Sequence, residues 1–285
     1  MSGRLRYDVH VSGMVPAAGK PLLDGSPTQW SPLSHTLIYG AGQALLTDPP
    51  ITRGQADQLA AWVEDHGVDL RYIYITHGHA DHWLATNHLL ARFPNARVLT
   101  SDAIFKRIAA ETPDGAVPGL WSTLFGQGVP AAPVTVSGTV FPADGLRLDG
   151  QEIFAHQVGH SDTDDTSVLH VPSLDLVVAG DVIYNNVHQY VAEARAGGVE
   201  AWHRAIDQVE ALRPRALVSG HKDPARGDLV SDIEETRRYL DTAASILDRS
   251  RDRAGFYAAM KQAYPARVNP YTIWLSALRL FEESQ

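Results

Sequence analysis

Residues 77–82 read HGHADH, which puts three histidines and an aspartate into six positions directly after the apolar run YIYIT. Imidazole nitrogens and carboxylate oxygens bind divalent metal ions, so a cluster of this kind can hold one ion or a pair. His77 and His79 alternate along the chain, and both can face one point. Asp81 and His82 fall where the chain turns into a helix, and they can face a second point nearby. Further on, His160, Asp181 and His221 follow the short β-rich runs QEIFAHQVG, DLVVAG and RALVSG.

Taken singly, each residue has an ordinary structural explanation. Asp81 serves as a helix N-cap, and His82 as a polar residue of the first turn. His160 and His221 serve as hydrogen-bonded loop residues, and Asp181 as a turn residue. Taken together, five histidines and two aspartates at the ends of four strands require a shared purpose, and metal binding supplies one. The chain has no cysteine, which excludes thiolate ligands, disulfides and a cysteine nucleophile. Imidazole and carboxylate without thiolate suit zinc, and also iron or manganese.

The elements that must aim these side chains are legible as alternating strands and helices. HTLIYG and QALLTD form a hairpin about Gly40 to Gly42, and TRGQADQLAAWVEDHG a helix with Leu59, Trp62 and Val63 at helical spacing. The strand RYIYIT precedes the histidine cluster, a helix runs through WLATNHLLARF toward Pro94, and ARVLTS is the next strand. EAWHRAIDQVEAL carries Trp202, Ala205, Ile206 and Val209 on one helical face and stops before Pro214. SDIE is a capping-box signature, with Ser231 as N-cap and Glu234 three residues later. Residues 111–145 are rich in proline and glycine and contain Trp121 and Phe125; they form an irregular connection, or a loop or short-helix lid over a pocket.

The motif with its three later partners resembles the metallo-β-lactamase superfamily, whose signature is His-x-His-x-Asp-His followed by His, Asp and His. The resemblance runs from about residue 34 to 222. It implies an α+β fold, the αββα four-layer sandwich, with a binuclear site at one edge of the two sheets. By that resemblance His77, His79 and His160 hold one metal, Asp81, His82 and His221 the other, and Asp181 bridges them. The expected domain spans residues 1–230, with a helical C-terminal extension, residues 231–285, packed on it. The C-terminal stretch YPARVNPYTIWLSALRLF is apolar enough to close the pocket, pack on the core or form a homodimer interface.

A complete set with a bridging aspartate resembles the glyoxalase II-like thioesterases and acyl-homoserine lactonases, and also the phosphodiesterase and RNA-processing branch. Tyr184, three residues after Asp181, matches a tyrosine that lactonases direct at the substrate carbonyl. Asp81, Asp181 and Tyr184 are therefore the expected catalytic residues. Trp83 stands where relatives often have glycine, and NNVHQY adds Asn185, Asn186, His188 and Tyr190. Trp83, Tyr184, His188 and Tyr190 are the expected substrate contacts. After His160, where many relatives read Thr-Pro-Gly-Ser, this chain has SDTDDTS; Asp162, Asp164 and Asp165 are read as capping or ligand-supporting residues.

Charge narrows the function. With 33 acidic against 24 basic residues the net charge is −9, and no basic run offers a track for a nucleic acid or an anionic membrane. The expectation is a hydrolase of a neutral carboxylic ester, lactone or thioester, acting on a small molecule through two divalent ions, zinc foremost. The alternatives are a phosphodiesterase or ribonuclease, a mononuclear-iron persulfide dioxygenase, and a weak β-lactamase side activity. The N-terminal residues lack the apolar core of a secretory signal, and no apolar run is long enough to span a bilayer, which makes a cytoplasmic location the default.

Overall fold

The computed structural model of the chain describes residues 4–193 and 197–282. Its strands are β1 (Arg6–Ser12), β2 (Val15–Pro16), β3 (Gln29–Trp30), β4 (Leu33–Tyr39), β5 (Gln43–Thr47), β6 (Asp69–Tyr74), β7 (Arg97–Thr100), β8 (Thr139–Val140), β9 (Leu146–Leu148), β10 (Gln151–Gly159), β11 (Thr166–Val171), β12 (Leu176–Gly180) and β13 (Ala216–Ser219). Its helices are α1 (Arg53–Asp65), α2 (Thr86–Arg92), α3 (Asp102–Glu111), α4 (Gly119–Phe125), α5 (Gly198–Ala211), α6 (Asp232–Arg249), α7 (Arg253–Ala263) and α8 (Pro270–Leu280).

One sheet has the order β1-β4-β5-β6-β7-β8 and the other β13-β12-β11-β10-β9, with β2 and β3 forming a small ribbon. β4 and β5 pair antiparallel, whereas β5, β6 and β7 run parallel, joined by crossovers through α1 and α2. Because successive strand residues point to opposite faces, each sheet supplies two cores. Leu45, Tyr74, Leu169 and Val178 meet between the sheets. Their neighbours Leu46 and Ile73 point outward onto Leu59 and Val63 of α1. On the far side, Val177 and Leu217 pack under Trp202, Ile206 and Val209 of α5 and Tyr239 and Leu240 of α6. The layers are therefore helix, sheet, sheet, helix: an α+β protein with the expected αββα sandwich. β4 and β12 are buried along their whole length, which is why both read as nearly unbroken apolar or small residues.

Several local expectations are corrected. The helix after the histidine cluster begins at Thr86 rather than Trp83, because Trp83 leaves helical geometry (φ −150°) and its indole N–H donates to Gly78 O at 2.8 Å. Ser231 precedes α6 but makes no side-chain cap. It already has helical dihedrals, and the chain enters through turns from Leu229 and Val230, so its hydroxyl cannot fold back. The capping box sits instead at α1, where Thr52 and Gln55 bond reciprocally. Residues 111–145, expected as an irregular connection or as a loop or short-helix lid, include the short helix α4, whose Trp121 packs edge-on against Trp30.

Candidate metal centre

The two sheets meet along one edge, and the cluster forms there. Ser167 N–H of β11 donates to Thr76 O beyond β6, and Ser34 N–H of β4 donates to Gly220 O beyond β13. Gly180 ends β12 in the left-handed region (φ 50°), so close to Thr76 that a Cβ would clash with its side chain. These contacts bring the residues after β6, β12 and β13 to one point. His77, His79, Asp81, His82, Asp181 and His221 all converge there.

Ligand atoms fall into three overlapping groups: His77, His79 and Asp162; His77, His82 and Asp181; and Asp81, His82 and His221. Asp181 Oδ1 lies 3.3 Å from His82 Nε2, while its Oδ2 lies 3.2 Å from His221 Nε2, so its two oxygens face different groups. Asp81 Oδ2 is 3.3 Å from His221 Nε2. His160 is not brought into any of these groups. Its Nδ1 contacts Asp164 at 2.8 Å and its Nε2 faces Gly198, while Asp162 sits beside His79.

The surrounding bonds set the tautomers. Thr76 Oγ1 gives its proton to Asp48 Oδ2 at 2.9 Å, so it accepts from His77 Nδ1–H at 3.0 Å and leaves His77 Nε2 with a bare lone pair. His221 Nδ1 faces Pro32 O at 2.8 Å, which can only accept, and this likewise frees His221 Nε2. His79 Nε2 lies 3.4 Å from Glu193, leaving Nδ1 for the cluster. Imidazoles whose outer nitrogen is held by an oxygen acceptor are oriented as metal ligands are.

The residues fit a cation. Among the described residues, His77 Nε2, both ring nitrogens of His82 and Asp181 Oδ1 are buried without a hydrogen-bond partner, and Asp162 Oδ2 meets only His79 Nδ1, at 2.7 Å. Such orphaned groups are expensive unless something else satisfies them. Charge says the same. Burial pulls His79 and His221 down, but Asp162 beside the first and Asp181 beside the second push each up to about 10. Burial opposes charge on His82 too, yet Asp181, Asp81 and Asp48 raise it well above the ordinary histidine range. Carboxylates packed this densely require positive charge between them, which a divalent ion supplies.

Tyr184 lies at this site, but its hydroxyl donates to Asp181 Oδ2 at 2.7 Å, holding the carboxylate in place. The Trp30 indole N–H, missed in the sequence, donates to Asp81 Oδ2 at 3.0 Å. Above the cluster opens a cavity of about 440 Å³. Trp30, Leu120, Trp121, Tyr190, Leu275 and Leu278 give it an apolar wall, with Arg107, Glu193 and Arg279 among its charged residues. Thus α4 and α8 both wall the cavity. The Arg107 stem lies so close to Gly78 that a Cβ there would clash with it.

Two expected substrate contacts lie elsewhere. Trp83 is fully buried with Ile51, Ile75 and Ile104, and its bond to Gly78 O pins the histidine loop from behind. His188 is a core residue: Asn186 turns the chain at φ 52°, and His188 Nδ1 meets Tyr239 OH at 3.1 Å. Asn185 and Asn186 bond to Asp232 and Asp223. Burial lowers the His188 pKa to about 3. An unfolded histidine takes up its proton near pH 6.5, so between about 6.5 and 3 the unfolded chain binds more protons. The stability His188 provides is present above pH 6.5 and lost as pH falls toward 3, at about 1.4 kcal/mol per pH unit. The His188→Gln variant should therefore show a shallower fall in urea midpoint between pH 6.5 and 4.5. Equal slopes would contradict the assignment.

An αββα sandwich with buried His/Asp clusters where its sheets meet defines a class of proteins built to hold divalent metal ions. The sequence profile of the metallo-beta-lactamase superfamily matches residues 30–221, and the chain belongs to that superfamily. It is 28% identical over 187 residues to a hydroxyacylglutathione hydrolase of Synechococcus sp. (strain CC9902), covering 64% of this chain and 62% of that protein, less than two thirds of its length. It is 24% identical over 220 residues to a metallo-beta-lactamase type 2 of Bacteroides fragilis, covering 75% and 78%. Solved structures share the fold. The metallo-beta-lactamase FIM-1 from Pseudomonas aeruginosa, in its mono-zinc form, superposes with a TM-score of 0.57 at 15% identity over 84% of this chain and 92% of that one. A metallo-beta-lactamase from Pontibacter korlensis gives 0.58 at 17% over 82% and 99%. Among the described residues no helix is long and apolar enough to cross a membrane.

Proposed function

We propose that this chain is a binuclear metal-dependent hydrolase, zinc being the leading ion, that cleaves a carboxylic ester, lactone or thioester carrying an apolar group. The observation that carries this reading is the placement of the His/Asp cluster at the foot of a cavity walled by Trp30, Leu120, Trp121, Leu275 and Leu278. His77, His79, Asp81, His82, Asp181 and His221 would hold the ions, with Asp181 shared between the His82 and His221 groups, and Tyr184 and Trp30 fix the Asp181 and Asp81 carboxylates by hydrogen bonds. When bound, the metals supply a water acidic enough to be hydroxide near neutral pH and an electrophilic pole for the carbonyl oxygen. The apolar wall excludes bulk water from the acyl or leaving group and strengthens the electrostatics of the site.

Electrostatics favours a neutral substrate over a phosphodiester. Six carboxylates (Asp81, Glu111, Asp162, Asp181, Glu193, Glu282) and two guanidiniums (Arg107, Arg279) line the cavity. Two divalent ions would only balance that charge, leaving no net attraction for a polyanion. The similarity to a hydroxyacylglutathione hydrolase supports an acyl substrate. The similarity to a metallo-beta-lactamase keeps β-lactam opening as a second, related carbonyl reaction. Side-by-side assay of aryl esters, lactones with alkyl chains of increasing length, an acyl thioester and a phosphodiester tests the reading. The expected result is carbonyl hydrolysis whose kcat/KM rises with chain length and barely responds to salt. A phosphodiester as best substrate, with rates falling steeply as salt rises, would overturn it.

A further inference from the structure

We propose that Trp30 has two tasks in this chain: its indole N–H is a positioning group for Asp81, and its ring selects the apolar group of the substrate. That double role rests on the reading of the site as a metal-dependent hydrolase of carbonyl substrates, and it joins the metal centre to the apolar wall through one side chain. Trp30 Nε1 donates at 3.0 Å to Asp81 Oδ2, the oxygen that also lies 3.3 Å from His221 Nε2. Two residues on, Pro32 O faces His221 Nδ1 at 2.8 Å. One three-residue segment therefore orients two members of the group formed by Asp81, His82 and His221. Trp30 pairs with Val15 of β2, and Leu33 forms a β-bridge with His221, so the segment is held at both ends.

The residue type suits both tasks. An arginine or lysine would hold the carboxylate as firmly, but it would bring a positive charge that competes with a metal ion for Asp81. Indole is a neutral group that only donates, so it orients the carboxylate and leaves its charge intact. The rest of the ring is apolar and is fixed by edge-on neighbours: Trp121 at 4.8 Å and Phe125 at 6.1 Å from α4, and Tyr271 at 6.2 Å from α8. Trp30 also lines the cavity beside Leu120 and Leu275. A substrate chain seated on that wall touches the same side chain that sets the direction of Asp81.

Two substitutions separate the tasks. In Trp30→His the imidazole overlays the five-membered ring of the indole, so Nε2–H takes the place of Nε1–H while the six-membered ring is lost. Trp30→Phe keeps an apolar ring and loses the donor. Both are compared with the 285-residue wild type at a pH where imidazole is neutral, with circular dichroism as the folding control. Zinc affinity is read by competition with a chromophoric chelator, and kcat/KM across esters and lactones of increasing alkyl length. Trp30→Phe is expected to bind at least one zinc about 10–100-fold more weakly, while its kcat/KM still rises with chain length. Trp30→His is expected to bind zinc as the wild type does and to flatten that rise, which reaches about fourfold per fully buried methylene. A Trp30 that only fills space would cost more zinc affinity as His than as Phe; that order, or wild-type affinity in Trp30→Phe, overturns the proposal. Should Trp30→Phe not fold, Trp30→His decides: weakened zinc binding or an undiminished chain-length dependence contradicts it. Wild-type rates that ignore chain length would overturn the substrate reading, and the task of the ring with it, whatever the zinc affinities show.

Discussion

Asp181→Ala is expected to abolish detectable hydrolysis and to weaken binding of at least one ion while the sandwich still folds. Asp181 is the carboxylate whose two oxygens face different histidines, Oδ1 toward His82 and Oδ2 toward His221. Groups that merely support a ligand are worth about 10–100-fold in metal affinity or activity, and a side chain that itself holds the metal is worth more. Removing it also strips His221 and His82 of the carboxylate that most favours their charge. Two nearby cations would then repel with no anion from the protein between them. The fold survives because its apolar layers lie between and outside the sheets, away from this edge. Metal analysis and turnover of the folded variant check this, and wild-type values for both would refute the bridging role.

Gly220→Ala should be nearly as damaging, although it adds a single methyl group. A Cβ at residue 220 would overlap Asp181 Oδ1, and it would lie only 2.7 Å from the carbonyl carbon of Gly180 and 3.0 Å from Asp181 N. The backbone cannot withdraw freely, because Gly220 N–H donates to Gly180 O at 2.8 Å and Gly220 O accepts from Ser34 N–H at 2.8 Å. Asp181 must therefore turn or shift. A displacement of about 1 Å can cost on the order of 10² in rate. The expected outcome is a folded protein with reduced metal affinity and kcat lowered by about 10² or more. Wild-type kcat in Gly220→Ala would show that the close approach at this position has no catalytic consequence.

How much of this was legible depends on how local the signal is. HGHADH could be read as a cluster because all its donors lie within one turn of chain, and the strand runs before Asp181 and His221 were apolar enough to be seen. The place of Asp162 was not legible: it stands two residues beyond His160 in the sequence, yet its carboxylate lies 2.7 Å from His79 Nδ1. Trp83 and His188 looked like pocket residues by proximity to the motif, but proximity along the chain carries no direction. Each points into apolar core, Trp83 under the histidine loop and His188 against Tyr239. The cavity wall was hidden for the opposite reason: Trp30, Leu120 and Leu275 come from distant segments that only tertiary packing brings together. β1 and β11 were missed although both fill the sandwich, because the runs RYDVHVS and TSVLHV mix polar with apolar residues.

Elemental analysis of the 285-residue chain, purified without chelator and desalted to constant composition, shows directly whether the buried histidines and carboxylates hold metal. About two divalent ions per chain are expected, with hydrolysis lost on chelation and restored when the metal is returned. No more than trace metal in a folded protein, with activity indifferent to chelator, would contradict that expectation.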